Sequence, residues 1–117
     1  MNDIGKDSIS LEMRRGVIVL AVLSLLQDEQ YGYSVLRLLS ENGLNVDQGT
    51  LYPLLRRLES QGWLQSAWRV EEARPRRYYV ISEQGRADLP NLQKEWDTIV
   101  SALEKINHRL EGKNESH

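Results

Sequence analysis

No cysteine and no phenylalanine occur among the 117 residues, and there are only two histidines and three prolines. Without cysteine there is no disulfide framework, no thiol nucleophile and no zinc–thiolate site, which fits a reducing cytoplasm. Without phenylalanine, the large side chains of any core must be Leu, Ile, Val, Trp or Tyr. His108 and His117 have no ligand partners at metal spacing, so the chain is expected to hold no metal. No Gly-rich phosphate loop follows a strand, the serines lack a histidine base, and no paired carboxylates sit where burial would raise one pKa, so neither an enzyme nor a bound cofactor is expected. Long apolar runs are missing too. The most apolar stretch, Gly16–Gln27, falls short of the roughly 20 residues that span a bilayer and starts too late for a signal peptide. It reads as a buried helix of a cytoplasmic protein with no membrane partner.

What is present fits one small soluble domain with an appended oligomerisation element: 40% hydrophobic and 27% charged residues, with a net charge of −2. That charge argues against sequence-independent binding to polyanions but leaves room for local basic patches.

The most informative stretch is Asp47–Leu64. Leu51, Leu54, Leu55 and Leu58 fall at i, i+3, i+4 and i+7, one apolar helical face. Gln48, Thr50, Tyr52, Arg56, Arg57 and Glu59 take the other face. Asp47 or Thr50 can cap the helix, and if Thr50 does, Pro53 sits in a first turn where its missing donor costs nothing. Gly62 stops it. An arginine-bearing amphipathic helix followed by a hairpin suits a DNA major groove, and equally describes an ordinary helix with a solvated charged side.

Around it the chain reads in order. Met1–Ser8 is polar and expected to be loose. Ile9–Gln27 is helical, with Met13, Val17, Leu20, Leu23 and Leu26 facing inward, and with Arg14 and Arg15 as phosphate contacts or solvated surface. Tyr31–Asn42 is a second helix, with Val35, Leu36 and Leu39 inside and Gly43 as its stop. Tyr31 and Tyr33 at its start either bond phosphates or pack by their rings. Two short helices leading into the Asp47 helix make a helix-turn-helix. Trp63–Val70 and Arg77–Ser82 are strands, with Leu64, Trp68 and Val70 on one side, joined by a hairpin tip holding Arg74, Pro75 and Arg76. A basic hairpin beside a recognition helix is the wing of a winged-helix domain, its charge diluted by Glu71 and Glu72.

Beyond Ser82 the pattern is helical again. Leu89, Leu92, Trp96, Ile99, Leu103, Ile106 and Leu110 repeat with spacing 3,4,3,4,3,4, the heptad seam of a helix lying along a partner helix. So long a seam favours a homodimer over packing on the chain's own core. Pro90 either kinks this helix or follows a fresh cap at Asp88. The fold expected is therefore mainly α with a small β-hairpin: a winged helix-turn-helix domain over residues 9–82, a C-terminal dimerisation helix over 83–111, and a disordered tail over 112–117.

G-T-L-Y-P-L-L-R-R-L-E-S-Q-G-W-L, a tryptophan-bearing strand, R-P-R-R-Y-Y-V-I and S-E-Q-G-R, with Y-G-Y-S-V-L ahead of them, closely resemble the PadR family of bacterial transcriptional regulators over roughly Gly16–Leu89. With a single C-terminal helix the chain resembles the shorter PadR subfamily. The resemblance implies a winged-helix homodimer that represses genes and leaves DNA when a small-molecule or stress effector binds. It assigns Gln48, Thr50, Tyr52, Arg56 and Arg57 to the recognition helix and Arg74, Arg76 and Arg77 to the wing. In short members that resemble multidrug-binding repressors, a tryptophan of the last helix stacks on flat hydrophobic ligands. Trp96 stands at that place, and a plain dimer-seam role explains it as well.

The partners so implied are double-stranded DNA at a palindromic operator, a second copy of the chain, and a small hydrophobic effector. Arg can bridge guanine O6 and N7, Tyr52 and Thr50 can touch thymine methyls, and Tyr31 and Tyr33 can bond phosphates. Two rival readings remain: a protein-interaction adaptor with no DNA binding, and a dimeric binder of hydrophobic ligands.

Overall fold

The computed structural model of the chain describes the backbone of residues 2–115 and the side chains of residues 8–112. Helix α1 spans Asn2–Leu25, so the segment expected to be loose is helical from Asn2 on. Its core face is Ile18, Val22 and Leu23, continued by Leu26 just past its end, none more than 6% exposed. Of the inward stripe expected, Leu23 and Leu26 are buried, Val17 and Leu20 are half-buried and Met13 is solvent-exposed, while Ile18 and Val22 are buried instead. The cause is composition, because a run apolar on every side offers no polar face to mark its orientation.

Strand β1 is the two-residue segment Gln30–Tyr31. Tyr31, expected in the second helix, ends this strand and precedes α2 (Gly32–Glu41), which buries Val35 and Leu39. The third helix, α3, runs Gln48–Ser60 and is capped by Asp47, whose Oδ1 accepts from the Thr50 N–H at 2.8 Å. Pro53 is therefore the sixth residue of the helix, one turn deeper than a Thr50 cap would put it, and Gly49 loses the amide donor that its carbonyl would otherwise have. Both α2 and α3 end in a glycine with positive φ, Gly43 at 90° and Gly62 at 88°. In each the six-to-one bond closes the turn, from Leu44 to Leu39 at 2.8 Å and from Trp63 to Leu58 at 2.9 Å.

Strands β2 (Leu64–Glu71) and β3 (Arg74–Ile81) pair antiparallel from Leu64↔Ile81 to Glu71↔Arg74, and β1 adds to the other edge of β3, giving the order β1-β3-β2. The turn is Glu72–Ala73, with φ 52° and 64°, the conformation of a two-residue type I′ hairpin. Arg74, Pro75 and Arg76, expected at the tip, thus belong to β3. One face of the ladder grades from core to water: Leu64 and Ile81 are buried, Ser66 and Tyr79 follow, and Trp68 and Val70, which share the face with Leu64, are 66% and 74% exposed.

Leu51, Leu55 and Leu58 of α3 are buried in the core with Val22, Leu23, Leu26, Val35 and Leu39, each no more than 3% exposed. Three helices and a three-stranded sheet in this order form a winged helix. Ser82 starts α4 (Glu83–Glu115), its Oγ accepting from the Gly85 N–H at 2.9 Å and donating to the Gly62 carbonyl at 2.7 Å. The helix runs unbroken through Pro90, so Asp88 caps no fresh start. It also continues through residues 112–115, where a disordered tail was expected; Ser116 and His117 lie outside the described residues. The chain divides into two compact units after Ala87, five residues beyond the boundary suggested by sequence.

Candidate nucleic-acid interface

Because α3 turns about 100° per residue, burying Leu51, Leu55 and Leu58 sends its polar residues to two separate flanks. Tyr52, Arg56 and Glu59 turn toward the sheet. Thr50, Pro53, Leu54 and Arg57 turn toward α1. Adjacent in sequence, Arg56 and Arg57 are both exposed but project about 100° apart, Arg56 onto the sheet-facing flank and Arg57 onto the α1-facing flank.

On the sheet side, β1, the start of α2, α3 and the hairpin enclose a cavity of about 420 Å³. Six of the residues singled out from sequence converge there: Tyr31, Tyr33, Tyr52, Arg56, Arg76 and Arg77. Tyr31 and Tyr33 stack with centroids 6.4 Å apart and planes at 21°, Tyr31 half-buried and Tyr33 exposed. Tyr52 lies against Gly32, where a Cβ would come within 2.9 Å of its ring. That contact explains the glycine of Y-G-Y and holds Tyr52 half-buried.

The rest of the predicted set sits apart. Gln48 opens α3 and is exposed, as is Thr50 on the α1 flank; Arg74 heads β3, exposed, opposite Glu71. Trp96 is on α4, 38% exposed.

The wing arginines divide by what holds them. Arg77 donates from Nη2 to Glu59 at 2.7 Å and from Nε to Ser66 Oγ at 3.1 Å, while Ser66 donates to the other Glu59 oxygen at 2.5 Å. Its guanidinium also lies 5.8 Å from the Trp68 ring and 5.5 Å from the Tyr79 ring. This is a strut from the last turn of α3 to the middle of the hairpin. Arg76 stacks on Tyr31 at 4.7 Å and stands 3.9 Å from Glu71. Arg69 pairs with Glu29 at 2.6 Å and stacks on Tyr78. Among the described residues Arg56, Arg57 and Arg74 have no carboxylate within ion-pair distance, and these carry the uncompensated charge of the region.

Burial raises the Tyr79 phenol pKa above its usual 10.0, with Arg77 opposing and Glu59 adding to the effect. Tyr78 is raised as well, chiefly by its hydrogen bond to Glu71.

Sequence reasoning missed Glu59, Ser66, Trp68 and Tyr79 as parts of this site. Glu59 and Arg77 are eighteen residues apart, and no local pattern joins them. The strand register would have found the others, since it sets Trp68 opposite Arg77 and Ser66 opposite Tyr79. Among the described residues no three His, Cys, Asp or Glu side chains are placed to hold a metal, and no helix is long and apolar enough to cross a membrane.

The chain is similar in sequence and fold to known proteins. A transcriptional regulator of Mycobacterium tuberculosis, Rv3488, is 42% identical over 79 residues, covering 67% of this chain and 74% of its own. The crystal structure of a PadR family transcriptional regulator from Eggerthella lenta superposes with a TM-score of 0.81 at 38% identity, over 89% of this chain and 93% of that one. A PadR-like transcription factor from Bacteroides fragilis gives 0.71 at 30% identity, over 85% and 98%. The model of the PadR-like family of transcriptional regulators matches residues 19–91, which contain α2, α3 and the whole hairpin, and the chain belongs to that family.

Proposed function

We propose that this chain is a homodimeric, sequence-specific DNA-binding regulator, a cytoplasmic repressor of transcription that an effector releases from its operator. The observation that carries the reading is α3 itself: a capped, exposed helix beside a hairpin, with two arginines that no carboxylate neutralises among the described residues. Arg56 reads a guanine edge, Arg74 and the hydroxyls of Tyr31 and Tyr33 take phosphates, and Gln48 and Thr50 approach bases at the helix N-terminus. Arg77 acts through Glu59, setting the wing relative to α3.

The exposed stripe of α4 supports dimerisation. Trp96, Ile99, Leu103, Ile106 and Leu110 are 38–55% exposed in the single chain, although their spacing is that of a helix–helix seam. Leu89 is already buried and Leu92 half-buried, so the proposed seam starts lower on the helix than the heptad suggests. Two chains joined there place two recognition helices about 34 Å apart on a palindrome. Trp96 then offers a flat hydrophobic effector a place between subunits, where a ligand preferring one inter-subunit angle alters operator affinity.

The test is a gel-shift titration on DNA upstream of the protein's own gene, at two salt concentrations, against scrambled competitor. Binding that resists the competitor is expected. If neither this DNA nor any sequence selected from a random pool outcompetes the scramble, the reading fails and the adaptor takes its place.

A further inference from the structure

The α1-facing flank of α3 carries a second concavity that the wing does not share, a groove of about 400 Å³. Ile18, Val19, Pro53 and Leu54 line its apolar part, and Arg15 and Arg57 reach it from the two helices. The groove differs in one respect from the sheet-side cavity. There Arg77 is bound by Glu59 and Arg76 stands near Glu71, whereas here neither arginine has a carboxylate partner among the described residues. Thr50 adds a hydroxyl at the same groove. Two unpaired guanidiniums and a hydroxyl around a shallow apolar surface match one alternating chemistry, the anionic phosphate and apolar sugar of a nucleic-acid backbone.

We propose that the groove between α1 and α3 seats one phosphate of the DNA backbone, clamped between Arg15 and Arg57, with the neighbouring deoxyribose against Val19 and Pro53. This rests on the proposed DNA binding and refines it. Arg57 positions the recognition helix while Arg56 reads sequence, and α1 becomes part of the interface through Arg15. It also separates two neighbours that sequence cannot distinguish: Arg15 lines the groove, and Arg14 does not.

Salt titrations of DNA affinity test the seat, on the selected operator and on a scrambled duplex. Arg15→Ala/Arg57→Ala together lower the slope of log affinity against log salt by about 0.9, the value of one phosphate, equally on both duplexes. Arg14→Ala leaves the slope unchanged, and Arg15→Lys largely restores it. Replacing single operator phosphates with neutral methylphosphonates identifies one position that weakens the wild-type chain but not the double variant. Circular dichroism melts establish that each variant is folded. An unchanged slope in the double variant, or an equal loss from Arg14→Ala, overturns the seat while leaving the proposed function standing. Loss of sequence preference instead of slope makes these arginines base readers and overturns it too. A wild-type chain that binds no DNA overturns both.

Discussion

Leu55 and Leu103 each belong to a regular apolar stripe on a helix, yet Leu55 is 1% exposed and Leu103 is 54% exposed. Leu55 lies on α3, in the unit that ends at Ala87, where three helices and a sheet close over one another. Leu103 lies in the unit that begins at Asp88, which among the described residues is a single stretch of helix. The same spacing of leucines thus has two meanings. In the first unit it describes a core the chain completes alone. In the second it describes an apolar surface exposed in the single chain, and burying apolar area is worth roughly 25 cal/mol per Å². The N-terminal half of α1 resembles the second case, with Ile9, Leu11 and Met13 58–73% exposed.

The contrast is broken most strongly by truncating both leucines. Leu55→Ala should lower the unfolding free energy by about 2–5 kcal/mol, read from urea melts, because it opens a cavity in a closed core. Leu103→Asp should leave the melting of a dilute chain little changed while weakening self-association at least about tenfold, or roughly 1.4 kcal/mol, by sedimentation equilibrium. Equal effects of the two on unfolding would mean that both stripes are core. Trp96→Ala should loosen the dimer in the same way.

Within the first unit, charges divide as the leucines do, into bound and available. Arg56→Ala should cost about 1–3 kcal/mol of operator affinity and relax preference at one base pair; loss of salt slope alone would make it a phosphate contact. Glu59→Gln should release Arg77, raising affinity for scrambled DNA and narrowing the margin for the operator. A uniform fall in affinity on both duplexes would instead assign the strut to stability.

The smallest effect concerns Tyr79. Its pKa is raised in the fold, so its contribution to stability is complete below pH 10 and is lost as pH rises past that value, the unfolded phenol ionising first. Tyr79→Phe should flatten the alkaline limb of a stability–pH profile and leave neutral pH nearly unchanged.

Much of this was legible in the sequence where one local rule decides. The 3,4 repeat of the last helix, the stops at Gly43 and Gly62, the two hairpin strands and the leucine face of α3 all follow from spacing and residue type within a few positions. What escaped depended on contacts between distant segments or on local rules in competition. The apolar run of α1 hid its inner face. Asp47 and Thr50 competed as caps, and the hydrogen bond from Thr50 to Asp47 gives the role to Asp47. The hairpin turn fell on Glu72–Ala73, a pair with none of the usual Asn or Gly to announce positive φ. Arg77 looked like a free wing cation until Glu59, on another element, was placed beside it at 2.7 Å.

One measurement bears most directly on the claim that the bare seam couples two recognition helices. With a selected palindromic operator, half a turn of DNA, about 5 bp, is inserted between the half-sites and affinity is measured again by anisotropy. A seam-held dimer predicts that binding falls to the level of a single half-site, and that Leu103→Asp falls to that same level on the uninterrupted operator. Unchanged affinity across the insertion would mean that the chains bind independently, contradicting the account.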